Sequence, residues 1–161
     1  VTEKYKVGKK LKYERIDKRK YVRMNTALDT RFAIISQGTD RDIFSRTMPA
    51  KTKSISISGV SLGTNTVQVE GLHICSSISG MAKNKLKLEI DLPSNYKTIT
   101  PIGEVCWYDL TPESEEYLYN VGVSFIELSK EDSKVLKEFI TTERKKTKTS
   151  ISALRKWFLR D

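Results

Sequence analysis

The stretch KLKLEIDL, residues 85–92, alternates without a fault. Leu86, Leu88, Ile90 and Leu92 fall on one side of an extended chain, and Lys85, Lys87, Glu89 and Asp91 on the other. A period of two belongs to a β-strand, so this segment has one face in a core and one in water. A lone strand is not stable, and its neighbours have to come from the rest of the chain. LDTRFAII (28–35) places Leu28, Thr30, Phe32 and Ile34 on one face. SISIS (54–58) reads as a further strand, broken or bulged at Gly59 and resumed by VSL (60–62). VQVEGLHI (67–74) alternates around Gly71. IGEVCWY (102–108) and NVGVSF (120–125) are joined by an acidic loop at Pro112. Strands this short and this evenly spaced point to an antiparallel barrel.

A helix follows the strands. Ser129 is placed to cap it, with Asp132 three residues on as in a capping box. Val135, Leu136, Phe139 and Ile140 form one apolar stripe for the open end of the barrel. The last segment, SISALRKWFLRD, reads as a separate short basic helix with Ile151, Leu154, Trp157 and Phe158 on one side. That side is expected to dock against protein, either the same barrel or a second copy, with the surface of anionic lipid as the third use open to it. The chain thus divides into a basic arm (1–23), a barrel with its closing helix (24–142) and a basic amphipathic tail (143–161).

The net charge of +9 is concentrated at the ends. Eight basic residues between Lys9 and Arg23 face only Glu14 and Asp17, and seven between Arg144 and Arg160 face only Glu143 and Asp161. An anionic partner should therefore meet the ends. Cys75 and Cys106 form no metal-ligand pattern and read as free, buried thiols in a reducing compartment. The sequence has a single histidine, His73, which reads as a surface or satisfied polar residue. Zinc sites and histidine-based triads need more than that. No phosphate-binding loop or dinucleotide fingerprint is present either, so the chain does not read as an enzyme and calls for no cofactor or metal.

Two short stretches can hold an anion together. Arg19 and Arg23 in RKYVR are four apart and share a side on a helix, in a tight turn or in an extended arm. Each guanidinium is a rigid fork that fits a phosphate or the O6/N7 edge of a guanine. Lys18 and Lys20 add positive potential. In SISISG (54–59), Ser54 and Ser56 project from one strand face with hydroxyls that donate and accept, and Gly59 leaves room for a flat base. Taken singly, the first stretch also reads as a solvated linker and the second as a polar strand edge.

Taken as a pair, they resemble the PilZ family, with R-x-x-x-R before the first strand and D/N-x-S-x-x-G at the next. LKLEIDLP, IGEVCWY and NVGVSFIELSKEDSKVLKEFI follow in the same order, so the resemblance covers roughly residues 14–142. It implies an all-β fold, a six-stranded antiparallel β-barrel that binds the bacterial second messenger cyclic di-GMP. By the same resemblance, Arg19 and Arg23 grip guanines and phosphates, while Ser56 and Gly59 lie on the barrel surface under a guanine. Ser54 stands where the family has Asp or Asn. Gly71, with Thr66 and Gln68, offers a second register for the same motif. The implied role is a cytoplasmic receptor, with the inner face of the membrane as a second location. It would pass its signal to an effector protein or a further domain in control of motility or exopolysaccharide production. Two other readings stand beside it: a degenerate member that keeps the fold for protein contacts, and a basic barrel that binds RNA or DNA.

Overall fold

The computed structural model describes residues 21–76, 82–93, 95–113 and 115–158. Their strands are β1 (Met24–Asn25), β2 (Asp29–Ser36), β3 (Ile43–Phe44), β4 (Met48–Ile55), β5 (Gly59–Thr64), β6 (Gln68–Val69), β7 (Leu72–His73), β8 (Lys85–Asp91), β9 (Thr98–Ile99), β10 (Ile102–Leu110) and β11 (Tyr119–Glu127). One helix, α1 (Lys130–Phe158), ends the described chain. Six strands close on themselves in the order β4-β5-β11-β10-β8-β2, with β2 pairing back onto β4. Every pairing is antiparallel. This is the expected six-stranded barrel. Short strands β1, β3 and β9 add to its edges, and β6–β7 is a separate hairpin.

The alternating segments set the register. Phe32 pairs with Leu88, Thr30 with Ile90 and Ile34 with Leu86, so the inward faces of β2 and β8 coincide. All six side chains are buried, as are Ile55, Leu62, Val121 and Val123 from the other strands. On the outer face Arg31 stands opposite Glu89. Its Nε donates to Glu89 at 2.9 Å, and its fork donates to both Asp91 oxygens at 2.8 and 2.9 Å. Arg31, helped by Thr98, holds the Asp91 carboxyl down to about 2.

The helix begins as its sequence predicts but is wired differently. Ser129 Oγ accepts from the Asp132 N–H at 3.0 Å, which is the expected cap. The Asp132 carboxylate does not close the box. It accepts from Thr100 N at 2.9 Å and pairs with Lys97 at 2.8 Å, tying the first turn of α1 to the segment around β9. Leu136, Phe139 and Ile140 enter the core, with the Phe139 ring edge-on to Tyr96 at 5.6 Å.

Four expectations need correction. First, SISISG is not one bulged strand. β4 ends at Ile55, the chain reverses through Ile57 and Ser58, and Gly59 opens β5, with Ile55 paired to Val60 and Ser54 to Ser61. Ser56 N donates to Gly59 O at 2.9 Å and closes the turn. Second, VQVEGLHI is a hairpin: Val69 faces Leu72 across Glu70 and Gly71, both with positive φ (53° and 80°), as a two-residue reverse turn requires. Third, the cysteines are free but not buried. The register slips between Val105 and Trp107, and this bulge leaves Cys106 exposed, while Cys75 is half-buried beside His73. Fourth, the tail is not a second helix. α1 continues for 29 residues, and residues 144–157 are exposed throughout rather than docked on the barrel. The polar run 143–150 contains neither Gly nor Pro, so nothing in it stops a helix.

His73 itself is satisfied. Its Nδ1 accepts from the backbone N–H groups of Cys75 and Ser76, both at 3.2 Å, and its Nε2 lies 3.4 Å from the Tyr108 hydroxyl.

Candidate functional site

β1 is only two residues long, yet it positions the candidate site. Met24 pairs with Ile55 and Asn25 with Ser54, so β1 lies against the end of β4. Continued by one residue, that antiparallel register brings Arg23 beside Ser56. Arg23, Ser54, Ser56 and Gly59 border one cavity of about 310 Å³, at the lower end of small-molecule sites. Residues from separated segments thus converge, with Val123 and Ser124 of β11 and Cys106 and Trp107 of β10 completing the wall. Arg23 is exposed and Ser54 half-buried. Arg19, Lys18 and Lys20 lie outside the described residues.

Two of the predicted residues have local duties. The Ser56 hydroxyl is buried in the turn, where it accepts from Ser58 N at 3.2 Å and lies 3.1 Å from Ser58 Oγ. Ser56 therefore does not stand beside Ser54 as a second free hydroxyl on a strand face. Gly59 is demanded by packing. A Cβ there would come within 2.4 Å of the Val123 carbonyl oxygen, because β5 and β11 approach closely at this pair. The barrel alone accounts for this glycine. The second register fares differently: Thr66, Gln68 and Gly71 belong to the β6–β7 hairpin region, and none of them borders the cavity. The Thr66 hydroxyl is already spent on the Gln68 carbonyl at 2.6 Å.

Sequence reasoning missed Trp107. The bulge turns its indole over Gly122, where an added Cβ would fall 2.2 Å from Nε1. The ring is 42% exposed and forms a flat wall of the cavity. The signal was present: a tryptophan in GEVCWY beside a strand that carries a glycine in NVGVSF. It was hidden because the pairing of Trp107 with Gly122, rather than with Val121 or Val123, depends on a bulge.

No protein-family model matches the sequence, and no curated protein does. Solved structures do match in architecture. The inhibitor of motility of Bacillus subtilis (MotI/DgrA) is 21% identical, with a TM-score of 0.54 over 80% of this chain and 52% of its own. The PilZ domain of YcgR from Escherichia coli, solved with c-di-GMP, is 10% identical, with a TM-score of 0.56 over 84% of this chain and 98% of its own. The fold is PilZ-like. The MrkH–c-di-GMP complex of K. pneumonia is 16% identical, with a TM-score of 0.54 over 84% of this chain and 56% of its own. The chain spans about half the length of MotI and of MrkH.

Proposed function

We propose that this chain is a non-catalytic receptor for cyclic di-GMP. The observation that carries the reading is the convergence of Arg23 with Ser54, Ser56 and Gly59 on one cavity, since the two stretches are separated in sequence yet make up one pair of motifs. Arg23 supplies a charged fork for a phosphate or a guanine edge. Trp107 supplies a flat face on which a guanine stacks. Ser54, in the position of an Asp or Asn, offers a shorter and neutral acceptor, and a bridging water recovers part of the lost contact. By the family resemblance, Arg19 would add a second charged fork, and Lys18 and Lys20 positive potential, for the same ligand. Ordering the arm converts binding energy into a changed surface, which an effector protein or a further domain reads. Motility and exopolysaccharide production are the outputs such a switch would serve.

Calorimetric titration with cyclic di-GMP at physiological salt, with GMP as control, tests the reading. Arg23→Ala is expected to weaken binding at least tenfold, about 1.4 kcal/mol, while melting barely changes because Arg23 is exposed. In a Trp157→Phe background the remaining indole, Trp107, is expected to change its emission on ligand addition. A parent protein that gives neither heat nor an emission change refutes the receptor reading.

One observation favours a second reading. Ser56 is engaged in its own turn and Gly59 is explained by Val123, so two motif residues have structural reasons to be there without a ligand. A PilZ-like module that has lost the nucleotide and keeps the fold for protein contacts fits that observation. It predicts a silent titration with an intact barrel.

A further inference from the structure

The last residue that α1 commits to the core is Ile140. From Arg144 to Trp157 every residue is exposed. At 1.5 Å per residue this is roughly 20 Å of helix with no barrel beneath it. The stretch contains Arg144, Lys145, Lys146, Lys148, Arg155 and Lys156 and not one acidic residue. At about 100° per residue, Ile151, Leu154 and Trp157 fall within about a third of the circumference. Arg144, Lys148 and Arg155 line one border of that face, and Lys146 lies near the other. Ile151, Leu154 and Trp157 are 49%, 56% and 69% exposed.

A surface that is apolar on one side and cationic along its borders has to meet something that satisfies both. A second copy would cover Ile151 and Leu154 but would set border cations against border cations with no carboxylate to offset them. A nucleic acid would meet the cations and leave the apolar face in water. An anionic bilayer does both: acyl chains take the apolar side chains, and headgroups take the long basic ones. No helix of the described residues is long and apolar enough to cross a membrane, so the association is with its surface.

We propose that residues 144–157 of α1 bind the surface of an anionic lipid bilayer. The helix lies in the headgroup plane with Ile151, Leu154 and Trp157 toward the acyl boundary, and the barrel is held beside the membrane. This surface is separate from the nucleotide cavity and does not depend on it.

Flotation of the full-length protein with phosphatidylcholine vesicles, with and without phosphatidylglycerol, tests the proposal. The protein is expected to float with the anionic vesicles only, and less as salt is raised. Ile151→Asp and Leu154→Asp are each expected to reduce the floated fraction at least fivefold, with melting unchanged. If aspartate unwinds the helix, Arg144→Gln combined with Lys146→Gln, Lys148→Gln and Arg155→Gln keeps the apolar face and is expected to abolish the preference for phosphatidylglycerol. Three results overturn the proposal. The first is no flotation, or equal flotation with neutral vesicles. The second is flotation indifferent to Leu154→Asp in a folded helix. The third is a dimer in sedimentation that Leu154→Asp dissociates while no vesicle binding is seen.

Discussion

On the proposed receptor reading, Ser54 is the residue on which nucleotide recognition turns. It lies between Asn25 on one side and Ser61 on the other, at the border of the cavity. A carboxylate there reaches one atom further and accepts from a guanine N–H with charge. Ser54→Asp is therefore expected to tighten cyclic di-GMP binding in a calorimetric titration. Thr66→Asp is expected to leave binding unchanged, because Thr66 lies off the cavity. Tightening by Thr66→Asp alone would move the motif to Gly71. Gly59 makes a different kind of claim. Its hydrogen points at the Val123 carbonyl oxygen, and a methyl in that place meets backbone, which has little freedom to move aside. Gly59→Ala is expected to cost about 1–3 kcal/mol of stability, as overpacking does. Chemical denaturation of the unliganded protein measures it. A variant of unchanged stability but impaired binding would return Gly59 to the ligand.

At the scale of elements, the join between α1 and the barrel rests on Asp132. Burial on its own raises this carboxyl, but the Lys97 ammonium and the Thr100 N–H outweigh it, so the group sits below its usual range. The sign of the pH effect follows. The unfolded chain takes up a proton at the ordinary aspartate value, 3.8, where the folded chain does not yet. Stability is full above that value and falls as pH drops through the folded one. Asp91 behaves alike between 3.8 and about 2, but its side chain is 38% exposed, so its share stays below about 1 kcal/mol. Asp132→Asn is expected to be less stable than the parent at neutral pH by about 1–3 kcal/mol. The difference should narrow as pH falls below 3.8, and urea melts across pH measure both. A gap that stays constant with pH would mean that the charge is not what matters. The cap itself was legible in Ser129 and Asp132, because capping is local chemistry. The partner of the carboxylate was not, since Thr100 lies 32 residues away. Strands β2 and β8 were legible for the same reason: alternation is written into 28–35 and 85–92. SISISG misled because serine and isoleucine alternate on both sides of a reversal, and only the pairing of Ser54 with Ser61 reveals the turn.

At the scale of the whole molecule, the barrel closes on itself, and among the described residues of α1 nothing after Ile140 is buried. The cavity proposed for the nucleotide is lined by Arg23 and by residues of β4, β5, β10 and β11, and no residue of the outer half of the helix borders it. The two ends of the chain should therefore be separable. Removing residues 144–161 is expected to shift the melting temperature by no more than about 3 °C, because changes remote from the core are worth about ±0.5 kcal/mol. The nucleotide should bind the truncated and full-length proteins equally. At a hundred times its dissociation constant it adds about 2.7 kcal/mol of stability to either. Differential scanning calorimetry of both proteins, with and without cyclic di-GMP, measures all four states. A clear loss of stability on truncation would mean that the tail packs on the barrel or on a second copy. A ligand shift that disappears with the tail would mean that the outer half of α1 completes the nucleotide site, and the two surfaces would then be one.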